Sequence, residues 1–186
     1  MDVQLPLEWP RTPPSHGSVV LRPFRETDAA VVTELSRDPY VPLISTVPAD
    51  ASEEEGTEWI LRQNGRFTQG MGYSFAIADA ATDQALGQIG LWLKAVDTGR
   101  AKAGYIVAPS ARGQGVAAAA LTALTRFAWT LPALHRVELY IEPWNEASVR
   151  TAVAAGYERE GLLRSHQVIG GERKDVLLFA AVRSTD

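Results

Sequence analysis

Residues 104–117, Gly104-Tyr105-Ile106-Val107-Ala108-Pro109-Ser110-Ala111-Arg112-Gly113-Gln114-Gly115-Val116-Ala117, constrain this chain more than any other stretch. A short apolar strand runs into a turn carrying two glycines, and an alanine- and leucine-rich helix follows at once. The first amides of a helix have no intrahelical partner and the macrodipole is positive there, so a turn of this kind suits an anion. Gly113 and Gly115 let the main chain approach that anion and adopt positive φ. Arg112 adds a guanidinium whose fork matches phosphate oxygens. The turn is a candidate diphosphate cradle built from Arg112, Gly113, Gln114, Gly115, Val116 and Ala117.

Which diphosphate it takes is narrowed by exclusion. A nucleotide-hydrolysing P-loop needs Lys-Ser or Lys-Thr after its second glycine, and Val116-Ala117 stands there. Gly113 to Ala118 matches the loose G-x-G-x-x-A dinucleotide fingerprint, but Ala108-Pro109-Ser110-Ala111-Arg112 separates the strand from the first glycine. Too few elements follow for a doubly wound sheet, which argues against a nicotinamide-binding oxidoreductase.

The chain has 186 residues, 46% of them hydrophobic and 22% charged, enough for one well-buried core and short for two. A lead-in over 1–16 and one domain over 17–186 is the expected division. The net charge of -4 argues against a nucleic-acid partner and mildly favours cationic small molecules or peptides. There is no cysteine, hence no disulfide framework and no thiolate nucleophile, which fits a reducing, cytoplasmic setting. Met1-Asp2-Val3-Gln4-Leu5-Pro6 lacks the basic-then-apolar pattern of a signal peptide. Arg126 and Pro132 interrupt the longest apolar stretch, so no membrane partner is expected. His16, His135 and His166 show no metal-ligand spacing, and G-x-S-x-G is absent, so neither a metal nor a serine-hydrolase site is expected.

Periodicity and punctuation give the element order. Pro6, Pro10, Pro13 and Pro14 make the start an extended lead-in that packs loosely if at all. Val19–Arg22 reads as a strand. Thr27 caps a helix to about Ser36, and Ser52-Glu53-Glu54-Glu55 is a capping box for another to about Phe67. The run Glu53-Glu54-Glu55 reads foremost as a first turn complementing the helix dipole. Alternation predicts strands over 73–77, 86–92 and 101–107 in an antiparallel meander. A helix over 115–130 follows, with Ala117, Leu121, Leu124 and Ala128 on one face. Then come a strand over 135–142, a helix from Asn145 to Ala155, and strands near 161–169 and 174–182.

This order, β-α-α-β-β-β-α-β-α-β-β, resembles the GNAT-type acyl-CoA N-acyltransferases from about residue 18 onward, and in particular their ribosomal-protein N-terminal acetyltransferase branch. Three patterns carry the likeness: Arg112-Gly113-Gln114-Gly115-Val116-Ala117 for (Q/R)-x-x-G-x-(G/A), Asn145-Glu146-Ala147-Ser148 for N-x-x-S, and Gly156-Tyr157-Glu158-Arg159-Glu160-Gly161 for G-(F/Y)-x-x-E-G. The resemblance implies an α/β fold, a mixed central sheet with splayed middle strands flanked by helices. It also implies transfer of acetyl from acetyl-CoA to a primary amine, either a protein or peptide N-terminus or a small amine, by direct attack. Relatives include homodimers.

By the same resemblance, Ile106 and Val107 would give main-chain groups to the pantetheine arm, and one of their amides would stabilise the oxyanion. Asn145 would bind the pantetheine or a water, and Ser148 would be the proton donor to the thiolate. Two positions depart from the family. Ala152 stands where many relatives carry a donor tyrosine, and Lys102 where they often place a glutamate. The base therefore stays open between His166, Glu160 and water, since a peptide α-amine of pKa about 8 has a usable neutral fraction. The same two departures keep a second reading open, an acyl-CoA-binding sensor without turnover. Tyr40, Trp59, Trp92 and Trp144 either shape the acceptor site or pack the core and its rim.

Overall fold

The computed structural model describes residues 7–184. Its sheet has eight strands: β1 (Ser15–His16), β2 (Val19–Arg22), β3 (Gly72–Asp79), β4 (Ala85–Trp92), β5 (Arg100–Val107), β6 (Arg136–Ile141), β7 (Glu158–Ile169) and β8 (Glu172–Val182). They lie in the order β1-β2-β3-β4-β5-β6-β8-β7. Every pairing is antiparallel except β5 with β6. Five helices complete the α/β fold: α1 (Ala29–Ser36), α2 (Val41–Ile44), α3 (Glu53–Gly65), α4 (Val116–Ala128) and α5 (Glu146–Ala154).

Period-two alternation assigns each face of the sheet its own layer. Tyr73, Phe75, Ile77, Ile89 and Leu91 point to the side covered by α4, where Leu121, Leu124 and Phe127 meet them. Ala76 and Ile106 point to the other side, against Val32 and Leu35 of α1 and Trp59 and Ile60 of α3. On α4, Leu121, Leu124 and Ala128 are buried as the pattern predicts, and Ala117, half-buried, packs against the same cluster at its edge.

The parallel pair is short. Arg100, Ala101 and Lys102 face Arg136, Val137 and Glu138, and the register ends there. β4 stays on β5 as far as Gly87 and Val107, and β8 stays on β6 as far as Ile141 and Leu177. From Ala103 onward the two central strands therefore part, which is the splay expected at the middle of the sheet.

Three local expectations are corrected. Thr27 is not a cap: residues Glu26–Asp28 form a 3-10 turn leading into α1, because the Asp28 carboxylate is taken by Arg22 and by the Arg25 amide. The short α2 has no periodic signal at four residues, and Asp38 nucleates its approach by accepting from the Tyr40 and Val41 amides at 2.8 and 3.0 Å. The lead-in does not pack loosely where it is described. Leu7 is buried, Trp9 tilts against Phe75 with centroids 4.8 Å apart, and Tyr73 donates its hydroxyl to the Glu8 carbonyl. Residues 1–6, with the start of the lead-in, lie outside the described residues.

One buried ion pair ties these pieces together. Arg22 and Asp28 are 6% and 5% exposed, and the guanidinium meets both carboxylate oxygens at 2.7 and 3.0 Å. Arg22 also reaches the Asp83 carboxylate and carbonyl, each at 2.8 Å, so it joins β2, the entry to α1 and the β3–β4 turn. Removing one partner of a buried pair strands the other charge, so Asp28→Ala is expected to lose about 3–5 kcal/mol in urea unfolding. A loss below about 1 kcal/mol would mean that water, and not Asp28, satisfies Arg22.

Candidate functional site

The splay sets which main-chain groups face the gap. The Ala108 amide donates to the Leu86 carbonyl across β4 at 2.9 Å. Backbone groups alternate sides along a strand, so those of Ile106 also face β4, while those of Tyr105 and Val107 face the gap. A Cβ placed on Gly87 would meet the Ile106 carbonyl oxygen at 2.2 Å, which fits that direction. Ile106, expected to offer its main chain, instead offers a buried side chain to the site. Val107 does present its carbonyl to the gap, and there the Arg112 Nε donates to it at 3.0 Å.

Beyond Val107 the turn has the conformation anticipated for an anion cradle. Gly113 and Gly115 have φ of 75° and 76°, and a Cβ on either would project into open space. Gly115 is the N-cap of α4. Arg112 is braced by Asp38 at 2.7 Å. Burial works against the Asp38 charge, but the Tyr40 amide, Arg112 and the Val41 amide outweigh it and hold the carboxyl below its usual range. Arg112 thus fixes the turn to the α1–α2 connection as well as lending it charge. Gly113, Gly115, Val116 and Ala117 line a cavity of about 620 Å³ with Arg112 at its edge and Trp144 on its far wall. Gln114 does not line it, and its amide donates to the Ser110 carbonyl.

A second cavity of about 540 Å³ opens on the other side of the splay, between the sheet, α2, the end of α3 and the tip of the β7–β8 hairpin. Its floor is a stripe of even-numbered positions. Gly90 and Gly104 face each other across β4 and β5, and the missing side chains leave room for the Trp92 indole to lie across the sheet. Arg66, just past the end of α3, stands over that indole at 4.8 Å from its centroid. Below runs a polar seam: Gln88 donates to Ser74, Ser74 to Gln63, and Gln63 to Thr46, at 3.0, 3.0 and 3.2 Å. Thr46 also accepts from the Trp59 indole at 3.0 Å. Each buried polar group is therefore matched, which keeps the seam from costing stability.

The two cavities share a wall formed by Tyr40, Ile44, Tyr105, Ile106, Asn145 and Ser148. Asn145 caps α5, its side-chain oxygen accepting from the Ser148 amide at 3.1 Å, so one residue both starts the helix and sets the position of Ser148. Tyr40 donates its hydroxyl to Glu142, a buried carboxylate just past β6. Burial and then Glu142 push the Tyr40 hydroxyl far above its ordinary pKa of 10, so it remains a donor at neutral pH.

Of the residues singled out from sequence, Asn145, Ser148, Ile106, Val107 and the glycine turn converge on these cavities. Tyr40, Trp59 and Trp92 line the second cavity and Trp144 the first. Glu53, Glu54 and Glu55 line neither, and Glu55 completes the Ser52 capping box as expected. Neither base candidate lines a cavity: Glu160 is held by Arg136 at 2.5 Å, and His166 stacks on Tyr140, which itself lines the second cavity. Ala152 is fully buried, so its position faces the core. Sequence reasoning missed Glu142, Arg66 and the Gln63–Ser74–Gln88 seam. Polar residues at inward strand positions were the available signal for the seam.

Comparison with known proteins agrees with this fold. The family model for the acetyltransferase (GNAT) domain matches residues 18–158. An uncharacterised N-acetyltransferase, p20, from Bacillus licheniformis is 27% identical over 165 residues, covering 89% of this chain and 93% of its own. The structure of Mycobacterium smegmatis RimJ in complex with CoA-disulfide superposes with a TM-score of 0.74 at 25% identity, over 91% of this chain and 88% of that one. The ribosomal-protein-S5-alanine acetyltransferase from Vibrio fischeri gives a TM-score of 0.72 at 18% identity, over 89% and 93%. No helix among the described residues is long and apolar enough to cross a membrane.

The Trp92 platform has a direct test. In Gly90→Ala the new Cβ would lie 2.4 Å from the indole, so the ring must move. The expected result is a changed tryptophan emission, absent when the same substitution is made in Trp92→Phe, with a stability loss of about 1–3 kcal/mol. Unchanged emission would mean that the indole does not rest on the glycines.

Proposed function

We propose that this chain, which belongs to the GNAT acetyltransferase family, places acetyl-CoA in the glycine-turn cavity and a primary amine in the second, with transfer at the wall they share. The observation that carries this reading is that shared wall, where Ser148, Asn145 and Tyr105 border both spaces. The fit to the cofactor rests on the turn: two positive-φ glycines open toward the cavity, and a helix start lies behind them.

Acetyl-CoA supplies an activated thioester; the amine nitrogen bonds to its carbonyl carbon, the carbon–sulfur bond breaks, and the ammonium proton is lost while the sulfur gains one. The chain's residues divide this work. The main-chain groups of Tyr105 and Val107 face the gap between β5 and β6 and suit an extended arm lying there as a further strand. Ser148 is one of three hydroxyls on the shared wall, with Tyr40, which is engaged by Glu142, and Tyr105; it serves as proton donor, held in place by the Asn145 cap. With position 152 facing the core, the tyrosine donor of many relatives has no counterpart there. Glu142 is the only carboxylate lining the second cavity among the described residues, and it suits holding an ammonium group beside the shared wall. Walls that close around the amine and the thioester convert their encounter into an oriented one.

Calorimetric titration with acetyl-CoA, with NAD as control ligand, tests the cofactor assignment. Micromolar binding is expected, weakened at least about tenfold in Gly115→Val, where a β-branched residue must take positive φ. Absence of binding by the unaltered protein would return the turn to a structural connection. Ser148→Ala is expected to slow CoA release about a hundredfold with acetyl-CoA affinity nearly intact. An unchanged rate would remove Ser148 from the proton transfer.

A further inference from the structure

The second cavity is polarised. Beside the shared wall, bonded to its Tyr40, stands Glu142, its charge already engaged by that hydroxyl. Away from that wall, two cations line this cavity only, Arg66 and Lys102. Both border Trp92: Lys102 is its register partner on β5, with its ammonium turned over Tyr140, and Arg66 stands over the Trp92 ring. Neither has a carboxylate within ion-pair distance among the described residues. The acid that could serve Lys102 is Glu138, its register partner on β6, but that carboxylate takes its bonds from Arg136 and Tyr140 at 2.7 and 2.8 Å. Lys102 is left over the Tyr140 ring at 4.9 Å.

Arg66 is the more telling of the two. Its Nε is buried and has no hydrogen-bond partner, and its one polar contact is a long 3.4 Å approach to Thr46. Burial, with the like charge of Arg62 added, lowers its pKa, and burial alone lowers that of Lys102. A guanidinium held over an indole, with an unmatched shielded donor, has the fork geometry that a carboxylate completes. A chain of net charge -4 that collects two unpaired cations in one cavity creates a local field opposite to its overall one.

We propose that the amine acceptor carries a carboxylate, bound by Arg66 and Lys102 on the Trp92 platform, so that the substrates are zwitterionic or anionic amines and not polyamines. The assignment rests on the acetyl-transfer reading of the shared wall and deepens it. An ammonium ion entering this cavity meets two like charges, and the matching negative group offsets them. The polarity also orients the acceptor: carboxylate toward Arg66 and Lys102, amine toward Glu142 and Ser148. Lys102 lies three residues from Tyr105, about 10 Å along the strand. A side-chain carboxylate, as in glutamate or an acidic dipeptide unit, lies farther from its amine than an α-carboxylate does and so covers more of that distance. A volume of about 540 Å³ holds a ligand of this size.

The test uses the whole chain and acceptors matched except for the carboxylate: glutamate, glutamine and isoglutamine against glutaminamide, which has none, the amidated peptide Ser-Asp-Ala against amidated Ser-Asn-Ala, and spermidine. Release of CoA thiol and calorimetric binding in the presence of CoA are both read. Carboxylate-bearing members are expected to be favoured at least tenfold in kcat/KM over their partners without one, and the preference to shrink toward unity in Arg66→Gln and Lys102→Gln with acetyl-CoA affinity unchanged. Preference within the free amino acids places the source in small metabolites, and preference within the peptides places it in protein termini. Equal use of the matched members, or spermidine as the best acceptor, overturns the proposal while leaving acetyl transfer standing. Carboxylate-dependent binding that Arg66→Gln abolishes, with no CoA release from any amine, upholds the anion subsite and sinks the transfer reading. No binding and no turnover of any carboxylate-bearing member overturns the subsite. If Arg66→Gln fails to fold, Lys102→Gln alone carries the comparison.

Discussion

The site exists because one strand pairing stops early. β5 and β6 share three register pairs and then separate, although each stays paired to its outer neighbour. Buried main-chain donors and acceptors left without partners cost about 1–3 kcal/mol each, so a protein keeps such a gap only where something else fills or solvates it. Here the glycine turn and α4 begin at the end of β5, and α5 begins just past β6. Both helix starts therefore stand at the mouth of the gap. The splay, the glycine turn and the Asn145 cap are consequences of one topological event, a parallel pair inserted in an otherwise antiparallel sheet.

The second cavity depends on a different economy, the use of small residues on a strand face. Gly90 and Gly104 remove two side chains from the middle of the sheet, and Trp92 occupies the space they leave. The indole supports Arg66, and Ser74 and Gln88 fill the remaining floor with matched hydrogen bonds. A polar floor under an apolar rim gives a site that binds through a few fixed groups while its walls exclude water. On the opposite face the same strands carry Phe75, Ile77, Ile89 and Leu91 against α4, which supplies the stability that the hollow face does not.

What the sequence disclosed divides along physical lines. Strands with period-two alternation, the Ser52 capping box and the strand–turn–helix at 104–117 were readable because each is specified within a dozen residues. Gly113 and Gly115 were readable in conformation as well, because their residue type anticipates positive φ. Ile106 shows the limit: its part in the site was visible, but which way its main chain faces depends on the register with β4, a long-range fact. Glu142 and Arg66 were not readable. Their position in a cavity depends on α2 and α3 folding back over the sheet, and charge at the end of a strand or helix is usually solvated. The unpaired state of Lys102 was hidden too, since it follows from Arg136 and Tyr140 occupying Glu138.

Overall charge and site charge point in opposite directions here. A net charge of -4 suggests cationic partners, yet Arg66 and Lys102 make the second cavity positive over its far part. Long-range attraction is screened beyond a Debye length of about 8 Å at physiological salt, so the global charge acts on encounter while the pair near Trp92 acts on the bound molecule. The two effects select different properties. A zwitterion satisfies both, its ammonium end favoured by the acidic surface and by Glu142, its carboxylate by the two cations. On the proposed acceptor assignment, a polycation would be drawn to the protein and then rejected inside it, so the cavity residues discriminate and the surface sets only how often an acceptor arrives.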